Sequence, residues 1–106
     1  MQRIKTITSY AGHARFNAEC TLTGQYLAKS QVSYIRSPYR YSPSVQILRW
    51  HGVDVVWFET SHRRYEVFAV PADMRRFKSD QEATDFHIAE GHAAGARAMS
   101  EEMCGE

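Results

Sequence analysis

The sequence predicts an α+β domain, in which an antiparallel, strongly curled sheet of about six strands is packed by one long C-terminal α-helix. Two observations support this fold class. Short apolar runs with period-two alternation recur up to residue 70 and are separated by Gly, Pro and polar turn residues. From residue 79 onward the apolar residues instead follow helical spacing behind a helix-start motif. A chain of 106 residues buries one hydrophobic core, so residues 1–106 are predicted to form a single domain.

The first strands are predicted in the N-terminal third of the chain. Within residues 14–23 the even positions are small or apolar and the odd positions are polar, which is the alternation of a strand with one buried face. Gly24 and Gln25 suit a tight turn, so the pattern predicts a hairpin over about 14–36. A further strand over residues 3–9 is predicted to pair with this hairpin.

A second hairpin and a last strand are predicted farther along. Residues 45–50 lead through His51 and Gly52 into residues 53–60, a spacing typical of a hairpin. The strand that begins at Val53 is apolar at odd and even positions alike, so it is predicted to be central and covered on both faces. The last strand, residues 65–70, follows a polar turn and ends before a proline.

One helix covers only one face of such a sheet, so the second face needs another cover. Curling of the sheet is the favoured candidate, because strongly twisted antiparallel sheets close over their own side chains. The other candidates are a short helix at 73–78, self-association, and the functional partner itself.

The C-terminal helix is predicted over residues 80–103. Ser79 and Glu82 match a capping box, in which each side chain satisfies a backbone N–H group at the helix start. Gly91 and Gly95 favour close packing on the sheet, with a helix-to-helix dimer contact as the alternative. An apolar stripe at helical spacing is formed by Phe86, Ala89, Ala93, Ala96, Met99 and Met103.

Charge divides the chain into a basic body and an acidic end. Residues 1–78 carry twelve Lys and Arg against five Asp and Glu, whereas residues 79–106 carry one against seven. Ten of the cations are arginines, which favours planar contacts with phosphate or carboxylate, although GC-rich coding DNA also produces arginine-rich chains. The predicted organisation is a β-sheet body (1–71), a basic connection (72–79) and the C-terminal helix (80–103).

Composition indicates a globular, cytoplasmic protein. Hydrophobic residues make up 43% of the chain and charged residues 24%. No apolar run is long enough to span a bilayer, and the N-terminus lacks the apolar core of a signal peptide. We therefore expect no membrane partner. Cys20 and Cys104 form neither a metal-ligand spacing nor a disulfide framework.

The sequence predicts no enzyme, no metal site and no cofactor. His87 and His92 are five residues apart, whereas a metal-binding helix presents two histidines at i and i+4. Ser61 stands beside His62, but neighbouring residues in a strand or turn point apart, and no nucleophile elbow or phosphate-binding glycine loop is present. Carboxylates on the predicted strands are interpreted as cross-strand partners of arginines.

The strongest functional feature is the segment at residues 34–43, Tyr-Ile-Arg-Ser-Pro-Tyr-Arg-Tyr-Ser-Pro. Its two prolines stiffen the backbone, and tyrosine and arginine are enriched where proteins bind other macromolecules. Further arginines on the strands, turns and basic connection are candidates for the same surface. The predicted partner-binding residues are Tyr34, Arg36, Tyr39, Arg40, Tyr41, Arg49, Arg63, Arg64, Arg75 and Arg76.

Two functions fit these residues. The first is a small protein-binding module, an inhibitor or adaptor of the kind that phages and plasmids encode, which docks as a monomer or homodimer on a host protein or nucleoprotein complex. Segregated charge favours this hypothesis. The alternative is a single-stranded nucleic-acid-binding domain, in which tyrosines stack on bases and arginines contact phosphates. A pI near 7.8 and the absence of nucleic-acid-binding motifs disfavour the alternative.

Overall fold

A computed structural model describes residues 1–35 and 42–91. Residues 80–91 form an α-helix, here α2. The elements before it are β1 (Gln2–Ile7), α1 (Tyr10–Glu19), β2 (Cys20–Ala28), a 3₁₀-helix (Lys29–Val32), β3 (Ser44–Trp50), β4 (Val53–Ser61) and β5 (Arg64–Ala69).

The strands form one open antiparallel sheet in the order β1-β5-β4-β3-β2. The predicted α+β class and the antiparallel sheet are confirmed, with five strands in place of about six. Strands β2 to β5 follow one another as a meander, whereas the predicted pairing of the first strand with the next segment is wrong, because β1 pairs with β5. β1 and β2 lie at opposite edges of the sheet, so α1, which connects them, crosses one sheet face. β4 is the middle strand, as its apolar residues on both faces predict.

The strand predicted over residues 14–23 is wrong, because most of that segment is α1. Ser9 caps this helix, and its hydroxyl oxygen accepts a hydrogen bond from the Gly12 N–H at 3.0 Å. Phe16 is the one buried residue of α1. The alternation that suggested a strand came largely from alanines, which favour helices and need no burial.

The hairpin predicted over 14–36 is also wrong, because β2 continues through the expected turn. The register of β2 against β3 shifts between Leu22 and Gln25, and Gly24 takes a φ of +72°. The Thr23 hydroxyl donates to the Ile47 carbonyl at 2.6 Å and accepts from the Gln25 N–H at 3.1 Å. Gly24 therefore forms part of a β-bulge inside one strand. This strand, β2, pairs with β3.

The β3–β4 hairpin and the strand β5 confirm the predictions for this part of the chain. His51 and Gly52 join β3 to β4 with φ values of +48° and +78°. Two consecutive left-handed residues make a type I′ turn, whose twist matches that of the flanking strands.

We expect His51→Asn to raise the free energy of unfolding by roughly 0.5 kcal/mol, because asparagine adopts the left-handed region more readily than histidine. The substitution loses the exposed contact of the His51 Nε2 with Glu19 at 3.2 Å, a kind of pair that contributes little, and the exposed packing of the His51 ring on Trp50 at 4.8 Å between centroids. Urea denaturation measures the change. Gly52→Ala is the control and should destabilise by about 1 kcal/mol; a destabilised His51→Asn variant would contradict the turn assignment.

Two hydrophobic clusters lie on the two faces of the sheet. The middle strand alternates between them, with Val55 on one side and Val56 and Phe58 on the other. The cluster beneath α1 consists of Ile7, Phe16, Leu48, Val55, Tyr65 and Val67. The opposite cluster consists of Leu27, Val32, Ile35, Val45, Ile47, Val56, Phe58 and Val70. The unpredicted α1 thus covers one face, and the 3₁₀ segment with its neighbours covers the other.

The basic connection does not form the short helix that was one candidate cover. Its residue Phe77 makes an antiparallel bridge with Tyr26 of β2, with N–O distances of 2.9 and 2.8 Å. The connection therefore covers part of the outer edge of β2. Such cover prevents an edge strand from pairing non-specifically with another chain.

The predicted start of the C-terminal helix is confirmed. The Ser79 hydroxyl accepts the Glu82 N–H at 3.1 Å, while the Glu82 carboxylate accepts the N–H of Lys78 at 3.2 Å, one residue before the expected donor. Ala83 is fully buried and packs with Phe77 and Ala28. Ala89 is exposed, so it does not join the predicted stripe, and residues 92–103 of the prediction lie outside the described residues.

Candidate binding surface

The predicted partner-binding residues do not converge on one surface in the described structure. Four of them stay predictions because they lie outside the described residues: Arg36, Tyr39, Arg40 and Tyr41. The other six lie in four places: Tyr34 after the 3₁₀-helix, Arg49 on β3, Arg63 and Arg64 at the β4–β5 turn, and Arg75 and Arg76 in the basic connection. Tyr34 is 59% exposed, and its hydroxyl accepts the Met1 amino group at 2.5 Å.

Arg49 and Arg76 are bound to one internal carboxylate. The Arg49 Nε donates to Asp54 at 2.9 Å, and the Arg76 guanidinium donates to the other oxygen of Asp54 and to Gln25 at 3.1 Å. The hydrogen bonds from Arg49 and Arg76 hold the pKa of Asp54 below its usual value, against the opposing effect of burial. Through Arg76 this cluster links the basic connection to the sheet. Both arginines therefore have a structural role.

Two further arginines share the carboxylate of Glu66. It accepts hydrogen bonds from Arg3 at 2.8 Å and from Arg64 at 3.4 Å, and its own side chain is only 15% exposed. Arg64, whose side chain is 47% exposed, is therefore paired with a carboxylate at the surface of the sheet, unlike its neighbour in the chain.

That neighbour, Arg63, lies over an exposed tyrosine of α1. Its guanidinium carbon is 5.2 Å from the centroid of the Tyr10 ring, within the range of a cation–π contact. The Tyr10 ring is 52% exposed and meets His62 edge-on at 6.2 Å between centroids. We call Tyr10, His62 and Arg63 the aromatic–arginine surface.

Packed aromatic side chains lie beneath this surface. Tyr65 is 4% exposed and contacts the Tyr10 ring edge-on at 6.5 Å. His13 stacks on Tyr65 at 4.0 Å and meets Trp57 at 4.3 Å. Burial lowers the pKa of the His13 imidazole, although the Glu59 charge acts in the opposite direction. At neutral pH the His13 side chain is therefore uncharged, and Arg63 supplies a positive charge to the surface.

Three cations on the α1 side lie outside the ion pairs of the described residues, although the Lys5 ammonium attracts the Glu19 carboxylate and lies 5.6 Å from the centroid of the Trp50 ring. The five ion pairs formed among the described residues include neither Lys5, Arg15 nor Arg63. The sequence predicts Arg63 as a binding residue but not Tyr10, Lys5 or Arg15. Only the helical path of α1 brings Tyr10 to a turn that lies more than fifty positions away in the chain, and no local pattern indicates that contact.

Other kinds of site find no support in the part of the chain that the structure describes. No group of three or more His, Cys, Asp and Glu side chains there is arranged to hold a metal ion. Nor does any helix within that part have the length and apolar character needed to cross a membrane. Comparison with known protein families, with curated proteins and with solved structures finds no match. Fold and site thus define a class only, an open five-stranded antiparallel α+β protein with an exposed aromatic–arginine surface.

Proposed function

We propose that this chain is a non-enzymatic protein-binding module, an inhibitor or adaptor that docks on a protein or nucleoprotein complex through the aromatic–arginine surface. The observation that carries the proposal is the half-exposed Tyr10 ring beneath Arg63, a cation without a carboxylate partner among the described residues. Tyrosine and arginine dominate the residues that contribute most to protein–protein affinity.

The packing beneath the surface favours binding. Tyr10 belongs to the first turn of α1 and rests against buried Tyr65, while stacked His13 fills the space behind it. A side chain that is already held in place loses little conformational entropy when a partner arrives. The surface is therefore preorganised, because its tyrosine lies on a helix and its arginine lies in the tight turn between β4 and β5.

A protein partner fits this geometry better than an unpaired nucleic acid. Arg63 lies over the Tyr10 ring, so a base that stacked on that face would have to displace the guanidinium. Four other arginines share the two carboxylates of Asp54 and Glu66, which halves their net charge and so reduces the charge available to phosphates.

Affinity capture from lysate, with and without nuclease, tests the proposal. The wild-type protein should retain a discrete protein after nuclease treatment. Combining Tyr10→Ala with Arg63→Ala should weaken that capture about tenfold, since both hot-spot side chains are lost. Arg64→Ala is the matched control, because it removes the same charge from the same turn but leaves the surface intact. Its capture should equal that of the wild type.

Two outcomes would overturn the proposal. Equal capture by the double variant would exclude this surface, and capture that disappears with nuclease while nucleic acid elutes would favour the single-stranded nucleic-acid alternative. Circular dichroism checks that the double variant is folded, which is expected because the Tyr10 ring is 52% exposed. Tyr39→Ala combined with Arg40→Ala tests the predicted loop in the same assay.

A further inference from the structure

β1 is an edge strand whose outer side is unpaired within the described residues. It pairs with β5 on one side only, and five of its six residues are exposed. The other edge of the sheet differs, because Phe77 pairs with part of β2. Unpaired N–H and C=O groups along an edge strand are ready to pair with another chain.

A groove of about 220 Å³ runs between β1 and α1. It is lined by buried Ile7 and Phe16 and by the polar side chains of the β1–α1 connection. Gly12 lets the helix pass close to the strand, since a Cβ at this position would lie 3.0 Å from the Ser9 Oγ and 3.1 Å from the Ile7 Cγ2. The groove therefore places apolar and polar walls beside β1.

The charges at this groove favour an acidic occupant. Lys5 and Arg15 line it, and neither joins an ion pair among the described residues. Glu19 also lines it; its carboxylate accepts the Trp50 indole N–H at 2.9 Å, contacts His51 at 3.2 Å and is attracted by the Lys5 ammonium, so the groove carries one positive charge in excess. A second copy paired along β1 would bring like charges to the shared edge, which is unfavourable.

From these contacts we infer a second binding site, in which an extended acidic segment of a partner protein adds to β1 as a further strand. Backbone hydrogen bonds to β1 supply affinity, and the groove supplies specificity. An apolar side chain of the segment packs on Ile7 and Phe16, while a carboxylate pairs with Lys5 or Arg15. The site is separate from the aromatic–arginine surface, because His13 contacts Trp57 and Tyr65 on the other flank of α1.

NMR titration with a defined peptide tests the inference. The probe is a capped peptide of alternating valine and glutamate with the six-residue length of β1. It should shift the amide resonances of Gln2–Ile7 and slow their hydrogen exchange. Lys5→Glu and Arg15→Glu should each weaken the binding about tenfold, because a favourable charge pair becomes a repulsive one. Lys78→Glu, the same change outside the groove, should leave the binding unchanged.

Matched peptides and variants make the result decisive. A valine–lysine peptide, and a valine–glutamate peptide N-methylated at alternate bonds, should not bind. The variant carrying Tyr10→Ala and Arg63→Ala should bind the probe normally, which separates this site from the proposed function. The inference is overturned if the β1 amides do not respond, if Lys5→Glu binds equally well, or if exchange at β1 slows with protein concentration alone. The last result would mean that a second copy occupies the edge.

Discussion

Replacement of Phe58 by alanine is expected to lower the free energy of unfolding by about 3–5 kcal/mol. Phe58 is fully buried on the middle strand β4. Its ring packs against Phe68 at 6.0 Å between centroids, and the Lys29 ammonium lies 4.6 Å from its centroid. Because β3 and β5 hold β4 on both sides, the strand cannot move into the space that the lost ring leaves.

Urea denaturation at neutral pH measures this effect against two controls. Leu22→Ala removes a side chain that is 72% exposed and should change stability by less than about 0.5 kcal/mol. Phe58→Leu keeps most of the apolar volume and should destabilise by about 1.5 kcal/mol or less. A loss below about 1 kcal/mol for Phe58→Ala would mean that this site collapses readily, contrary to the packing described.

The strands around Phe58 could be predicted because their own residues carry the information. β4 has apolar residues at consecutive positions, which only a strand covered on both faces can bury. His51 and Gly52 then limit the connection to a tight turn, and the register follows from that turn. Local sequence and long-range packing agree here, so the β3–β4 hairpin and β5 were predicted correctly.

The first helix could not be predicted in the same way, because its contact with the core is minimal. Phe16 is its one buried residue, and a single residue defines no helical stripe. Ala14 and Ala18 suited an alternating pattern although both are exposed on α1. The cap at Ser9 is the local feature that could have indicated a helix. The bulge at Gly24 was missed for a similar reason, since a left-handed glycine suits a turn and a bulge equally.

The binding surface was only partly predictable, since its members come from separate elements. Arginine content alone does not tell which arginines are engaged internally. Asp54 binds Arg76, which is 22 positions away, and that contact depends on how the basic connection crosses the sheet. Tyr10 meets Arg63 only because α1 begins beside the β4–β5 turn. Composition thus predicted the residue types of the surface but not its position.

Replacing Asp54 with asparagine is expected to lower the free energy of unfolding by about 2 kcal/mol at pH 7. The value lies between the small contribution of exposed ion pairs and the 3–5 kcal/mol lost when a fully buried pair is broken. The Asp54 side chain is 15% exposed, whereas its partners Arg76 and Arg49 are 20% and 58% exposed, so solvent screening reduces the larger figure. The amide keeps the shape of the carboxylate but leaves the Arg76 charge without its counter-ion.

The pH dependence identifies the charge as the cause. Hydrogen bonds from Arg49 and Arg76 hold the pKa of Asp54 in the folded protein below its ordinary value of 3.8, so the unfolded chain binds the proton more tightly. The stabilisation by Asp54 is therefore complete above the ordinary value and is lost as the pH falls through the lower folded-state pKa.

The stability difference between wild type and Asp54→Asn should accordingly be constant from neutral pH down to about pH 5 and shrink below about pH 4. Denaturation curves across this range measure it. Asp73→Asn is the matched control, because Asp73 is exposed and should show no comparable difference at any pH. A difference that persists unchanged in acid would mean that Asp54 acts through its shape and not its charge, and that the arginines do not depend on it for neutralisation.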